Sequence, residues 1–283
     1  MYKAPWSNEK LKKLGKCILK GEDAPAAVPR YDDVMVFYND VAAETQRLID
    51  GLDWESLLGG RRYEVTSRPK TIDTLRQKLQ RDPAVGLQNI QDVAGVRFEA
   101  EMTLDEQDAV VNAIAGLFDH DPTTCVRDLR LEPHSGYRAV HIWLRLPTRV
   151  EVQVRTHLQS AWANMYESAA DVYGRDIRYG ELPHDPESRV FVQTVQNLST
   201  GNIRRLETLK NTFPAGEERL NQLRAGYKNL PRGQKRRRRK SFEKEEKWFL
   251  AMIKDVGDME SELGTLMRST QEMFDSMRSN GRN

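Results

Sequence analysis

The chain has 283 residues, 39% hydrophobic and 30% charged, with a formal net charge of +2. That supports a real core beside much solvated helix. Membrane, secreted disulfide-rich and zinc-ribbon classes are excluded: no apolar run approaches the roughly 20 residues of a span, lysines interrupt the first apolar stripe where a signal core would lie, and Cys17 and Cys125 are too few and too far apart. A soluble cytoplasmic protein is the expectation. The small net charge hides an asymmetry, because seven of the nine residues 232–240 are basic and the remainder is net acidic.

Ser7 as an N-cap and Gly21 as a C-cap bound a predicted first helix, with Leu11, Leu14 and Ile18 as its apolar stripe and lysines elsewhere. A longer helix is expected over 32–49, ending at Gly51, and another over 71–80, entered through the basic Arg68-Pro69-Lys70. Residues 92–100 read as a strand broken by Gly95. Thr103 to Glu106 reads as a capping box opening a helix with Val110, Val111 and Ile114 inward. Residues 124–131 read as a further strand.

The next segment is the most informative. Val140, Ile142 and Leu144 alternate with His141, Trp143 and Arg145; after Pro147, Val150, Val152 and Val154 alternate with Glu151, Gln153 and Arg155. Period-two alternation predicts two half-buried strands in a hairpin. A turn centred on Thr148 sets Glu151 opposite Arg145, Gln153 opposite Trp143, and Arg155 opposite His141. One face is then apolar, and the other carries a carboxylate, an amide, an imidazole and guanidiniums. A helix over 157–173 follows, and the order of elements implies an α/β (α+β) fold with a mixed sheet flanked by helices. Beyond Pro183 the chain reads as helices over 190–211, 217–230 and 243–277, with the basic cluster as a flexible stretch between the last two. The Met and aromatic stripe from Trp248 to Phe274 reads as core or as a helix–helix seam. The expected organisation is a helical region over 1–58, a central domain over 59–183 and a helical region over 184–283.

Asp92 and Glu151, on neighbouring strands, suit a Mg²⁺ completed by phosphate oxygens and water. Arg68, Lys70 and Lys78 around a helix entry favour a polyphosphate, and Tyr137 after Gly136 suits base stacking. Taken singly, each of these charges is equally read as a solvated surface group or surface ion pair; their gathering around one sheet points to phosphoryl-type chemistry.

The blocks Arg68-Pro69-Lys70 with Thr74 and Lys78, Asp92-Val93-Ala94-Gly95-Val96-Arg97, Gly136-Tyr137-Arg138-Ala139-Val140-His141, Glu151-Val152-Gln153-Val154-Arg155-Thr156 and Trp162-Ala163 resemble, in order and spacing, the RelA/SpoT alarmone synthetase domain over residues 59–174. The resemblance implies a nucleotidyltransferase-like domain that moves the β,γ-pyrophosphate of ATP onto a ribose 3′-hydroxyl and releases AMP. Under it Arg68, Lys70, Lys78 and Arg97 bind ATP, Asp92 and Glu151 hold Mg²⁺, Glu151 with Gln153 serves the transfer, and Tyr137, His141 and Arg155 bind the acceptor. Many members have histidine where this chain has Glu167, and an anion there disfavours an acceptor bearing its own phosphates. With no hydrolase or long regulatory region, the chain resembles the small synthetases, and its Ser7–Gly15 segment their toxic members.

Two acceptors follow as expectations. One is the 3′-terminal adenosine of tRNA, tracked by Arg232, Lys235, Arg236, Arg237, Arg238, Arg239 and Lys240, which would make the chain a translation-blocking toxin restrained by an antitoxin protein. The other is GDP, GTP or an adenosine nucleotide, giving an alarmone. A non-catalytic binding protein of the same fold is the third reading, and homo-oligomerisation through the C-terminal helices stays open.

Overall fold

The computed structural model describes residues 3–82 and 84–280, with the side chains of Arg68, Pro69 and Asn280 outside that description. Two compact units make up the chain: residues 1–102, 106–132 and 139–157 form one, and 103–105, 133–138 and 158–283 the other. The second unit thus takes in the helix at 157–173 as well as the C-terminal helices.

The first unit runs α1 (Asn8–Lys20), α2 (Tyr31–Asp50), α3 (Glu55–Leu58), β1 (Tyr63–Pro69), α4 (Ile72–Arg81), β2 (Ala94–Ala100), α5 (Leu104–Leu117), α6 (Pro122–Cys125), β3 (Val126–Asp128), β4 (Val140–Arg145) and β5 (Arg149–Thr156). Local chemistry sets the helix ends. Ser7 accepts from the Lys10 N–H, and Gly21 closes α1 at φ 71°, a left-handed conformation that costs glycine nothing. Thr71 caps α4 in the same way, accepting from the Thr74 N–H.

The five strands form one mixed sheet in the order β1-β2-β5-β4-β3, with β2 and β5 parallel and the other neighbours antiparallel. Ala94, Val96 and Phe98 with Val140, Ile142, Leu144, Val150, Val152 and Val154 are all buried on one face. They share a core with Val34, Tyr38 and Ile49 of α2 and Val110 and Ile114 of α5. Burying each such large side chain contributes roughly 1.5–3 kcal/mol, so this face dominates the unit's stability. Buried amides satisfy the sheet's margins: Gln107 Nε2 donates to the Val154 carbonyl at 2.9 Å, and Gln91 Nε2 donates to that of Val150 at 2.8 Å.

Several expectations need correction. Gly95 does not break its strand: it pairs with Arg68 on one side and Glu151 on the other, and those two neighbours hold the backbone extended. Asp92 lies in the turn before β2. Residues 124–131 yield only the three-residue β3, because Pro122 starts a helical turn behind the Asp121 cap. The 63–69 strand goes unpredicted, since among its described side chains Val65 is the one buried apolar residue. The hairpin turn centres on Pro147, with Leu146 N–H donating to the Thr148 carbonyl at 3.0 Å. Proline has no N–H for a ladder and takes the apex. Every opposing pair therefore slides by two residues, which preserves the faces but gives Glu151 Trp143, and Gln153 His141, as partners.

The second unit comprises α7 (His157–Tyr173), α8 (Pro186–Asn197), a π-helical stretch at Leu198–Ile203, α9 (Arg204–Lys210), α10 (Phe213–Lys228) and α11 (Arg232–Asn280). Trp162 centres its core, 1% exposed, with its indole N–H donating to the Val195 carbonyl at 2.7 Å. The basic cluster is not a flexible connection. It forms the first turns of the 49-residue α11, because arginine, lysine and glutamine are good helix formers and Arg239 pairs with Glu243 one turn on at 2.9 Å. The α10–α11 pair is fastened by Arg224 on Glu246 at 2.8 Å and by Tyr227 stacked on Phe242.

Gly136 has a strict steric duty in this unit. Its φ is 84°, and a β-carbon there would lie 2.8 Å from a Trp162 ring carbon and 3.0 Å from the Gln196 backbone. Gly136→Ala is expected to destabilise the second unit by about 1–3 kcal/mol, from overpacking and the left-handed backbone together. Denaturant unfolding followed by tryptophan fluorescence checks this; an unshifted transition would show that the loop relaxes freely.

Candidate active site

The face of the sheet opposite the apolar core carries the charged residues in two rows. Cα pairing aligns Arg68, Gly95, Glu151 and Trp143 across β1, β2, β5 and β4; the next row aligns Thr66, Arg97, Gln153, His141 and Arg127 across all five strands. Paired residues point to the same side of a sheet, so both rows share one surface. Gly95 leaves the first row without a side chain between Arg68 and Glu151. The Arg68 side chain itself lies outside the described residues.

Glu151 sits at the centre, 8% exposed. Trp143 Nε1 donates to its Oε1 at 3.3 Å, His141 Nδ1 lies 3.2 Å from the same oxygen, and Gln153 Nε2 donates to Oε2 at 2.8 Å. Arg155 Nη2 in turn donates to Gln153 Oε1 at 2.5 Å, and its guanidinium lies 4.0 Å from Glu99. Burial works against an ionised Glu151, and so does the nearby Asp92 charge. The hydrogen bond and charge of His141, with the Gln153 amide, outweigh both and hold the carboxyl below its ordinary range.

Asp92 forms the second centre. Lys78 Nζ lies 2.6 Å from its Oδ1, and Lys70 Nζ bonds to Oδ2. Burial alone would push this carboxyl up; the two lysine charges prevail and hold it down. The placement follows from local structure. β1 ends at Pro69, so Lys70 leads into α4, and Lys78 stands two turns along that helix. Gln91, anchored on the Val150 carbonyl, ties the turn bearing Asp92 to the start of β5.

The structure thus gathers Lys70, Lys78, Asp92, Glu151, Gln153, His141 and Arg155 in the first unit, with Arg97 at a register position on the same face. Tyr137 belongs to the second unit, where its ring packs against the apolar cluster around Trp162. Arg145 sits opposite Arg149 at the hairpin end rather than beside Glu151. Glu167 is ion-paired within the second unit: both its oxygens accept from Arg178 Nη1, at 2.9 and 2.7 Å. Six residues of the basic cluster are exposed, and Lys235 is half-buried.

Two side chains went unassigned in the sequence. Trp143 is a direct partner of Glu151, with the Arg127 guanidinium 4.7 Å over its ring; its parity with Glu151 was the available signal. Arg138 is 2% exposed and lies 2.6 Å from Glu207, itself 4% exposed, inside the second unit. No local pattern announces a pair 69 residues apart in the chain.

Residues 67–176 match the region found in RelA / SpoT proteins, a span that contains all five sequence blocks. The uncharacterized proteins Mb1401 of Mycobacterium bovis and Rv1366 of Mycobacterium tuberculosis are each 47% identical over 195 residues, which is 69% of this chain and 70% of theirs. Among solved structures, small alarmone synthetase 1 from Bacillus subtilis bound to its product pppGpp is 20% identical with a TM-score of 0.48, over 64% of this chain and 96% of that one. A GTP pyrophosphokinase family protein from Streptococcus pneumoniae is 19% identical with a TM-score of 0.48, over 64% and 94%. On the matched region and the extent of the mycobacterial identity, the chain belongs to the RelA/SpoT family.

Proposed function

We propose that this chain transfers the β,γ-pyrophosphate of ATP to a ribose 3′-hydroxyl, releasing AMP, on the polar face of its sheet. The observation that carries the reading is the pairing of two ionised carboxylates, Asp92 between Lys70 and Lys78 and Glu151 on the neighbouring strand. Phosphoryl-type transfer is chiefly positioning and charge stabilisation, and this face supplies both signs of charge. Lys70 and Lys78 take the ATP phosphates, and Arg68 and Arg97 are the further ATP-binding cations. Glu151 accepts the proton of the attacking hydroxyl, oriented by Trp143, His141 and Gln153. Arg155 braces Gln153.

Asp92 and Glu151 fit a Mg²⁺. Among the described residues no group of three or more His, Cys, Asp or Glu could hold a metal by itself, but Mg²⁺ commonly takes only one or two carboxylates and completes its shell with phosphate oxygens and water. When bound it neutralises charge developing on the migrating group. With nucleotide in place, the lysines exchange part of their hold on Asp92 for phosphate oxygens.

The acceptor we assign is the 3′-terminal adenosine of tRNA, which would make the chain a translation inhibitor with need of a restraining antitoxin. The exposed arginines and lysines at the start of α11 support this reading, since a cluster of that density suits a nucleic-acid backbone. The second reading, a guanosine or adenosine nucleotide acceptor, has in its favour the pairing of Glu167 with Arg178, which removes an anion that would oppose acceptor phosphates. Purified chain with γ-labelled ATP, Mg²⁺, deacylated tRNA, GDP and GTP separates them. Label is expected on tRNA; label on nucleotide alone would sink that assignment and leave the transfer chemistry standing. Asp92→Asn is expected to reduce label transfer by about 10²-fold or more in either case, in line with the loss of one essential charge-stabilising group. Retained transfer would move the metal and phosphate site elsewhere, and AMP release absent in the parent would favour the non-catalytic reading.

A further inference from the structure

The last helix carries an apolar stripe that its own unit does not use. Val256, Met267 and Phe274 of α11 turn into the second unit's core, at 3%, 0% and 0% exposure. On a neighbouring side of the same helix lie Trp248, Met252, Met259, Leu266, Met273 and Met277. All but the half-buried Met252 are among the most exposed large apolar side chains, Trp248 at 64%, Met259 at 53% and Leu266 at 54%. At about 100° per residue the six fall within a sector of roughly 60°, along about 45 Å of helix. Scattered apolar residues on a surface need no explanation, but six along one sector of a helix, interrupted there by Asp255 and Thr270, do.

The spacing of the stripe says what would cover it. Its intervals, 4, 7, 7, 7 and 4 residues, read the same in both directions. Two copies of α11 laid antiparallel about a two-fold axis between Glu262 and Leu263 therefore place Met259 on the partner copy's position 266, Met252 on 273 and Trp248 on 277. Apolar meets apolar at these six positions, while Asp255 and Thr270 of the same sector fall opposite one another across the axis. A parallel pair in register would also match the stripe, but it would set the two basic clusters side by side. The antiparallel pair separates them by about 80 Å. A standard stable interface buries roughly 800 Å² per partner, which the stripe can approach only together with the residues that flank it.

We infer that the chain forms a two-fold dimer through antiparallel pairing of α11 along Trp248–Met277, with a second copy of itself as the partner. This does not depend on the reaction proposed above. Light scattering behind gel filtration on the full chain should give twice the mass of one chain. Leu266→Glu and Met259→Glu, at exposed positions, should each return it to the mass of one chain with unchanged helical circular dichroism. Oxidation of Met259→Cys/Leu266→Cys should yield a covalent dimer, whereas Met259→Cys or Leu266→Cys alone should not. A parent of single-chain mass at micromolar concentration, a dimer untouched by both glutamate variants, or cross-linking by the single cysteines would each overturn the assignment.

Discussion

Glu151→Gln is expected to lower AMP release from ATP by about 10²–10⁴-fold, the usual contribution of a positioned proton acceptor, while leaving the fold in place. The amide keeps the shape of the side chain and an oxygen for the Trp143 indole N–H. It loses the charge that His141 and Gln153 hold in its ionised form. Nothing on the apolar face of β5 changes, so the Val150, Val152 and Val154 core is undisturbed. Chromatographic measurement of AMP, with thermal unfolding run in parallel, checks both halves. Near-parental turnover in a folded variant would remove Glu151 from the reaction and with it the centre of the proposed site.

The largest effect on stability is expected at Arg138 and Glu207. Both are almost wholly buried in the second unit and lie 2.6 Å apart. Removing one partner of such a pair leaves an uncompensated charge out of water, a cost of about 3–5 kcal/mol. Arg138→Met and Glu207→Leu should therefore each unfold the second unit at markedly lower denaturant. The double variant should recover much of the loss, because desolvating the pair had offset most of its mutual attraction. With two compact units the transition need not be two-state, so the comparison rests on a probe of the second unit such as Trp162 fluorescence. Single variants that unfold with the parent would show that water reaches the pair. The pair also fixes the end of the 133–138 segment that carries Gly136 and Tyr137.

Much of the architecture was legible in local chemistry. Alternation from Val140 to Arg155 specified two strands, their buried parity and the polar face, since a strand with one apolar side has only one way to turn. Ser7 and Gly21 announced both ends of α1. β1 was illegible because an edge strand with a single buried apolar residue carries almost no pattern. Gly95 misled because intrinsic propensity was weighed without the two neighbouring strands that override it. The basic cluster misled in the opposite sense: charge density suggested a flexible stretch, whereas Arg, Lys and Gln extend α11 once Glu243 and its neighbours supply counter-charge.

The candidate site divides in the same way. Lys70, Lys78, Asp92, Glu151 and Gln153 could be named from residue types and spacing, and the structure sets both lysines on Asp92 and Gln153 on Glu151. Their partners could not. A centre at Pro147 instead of Thr148 shifts each cross-strand pair by two residues, and this alone decides that Glu151 meets Trp143 rather than Arg145. The same holds for the neutralisation of Glu167 by Arg178, the Arg138–Glu207 pair and the division of the chain that puts Tyr137 with the helices. By itself the sequence determined which residues are apolar, which can carry charge and at what period they recur, because these depend on covalent chemistry and local backbone geometry. Only the tertiary structure decided which charges face one another, because register, burial and long-range pairing depend on segments far apart in the chain.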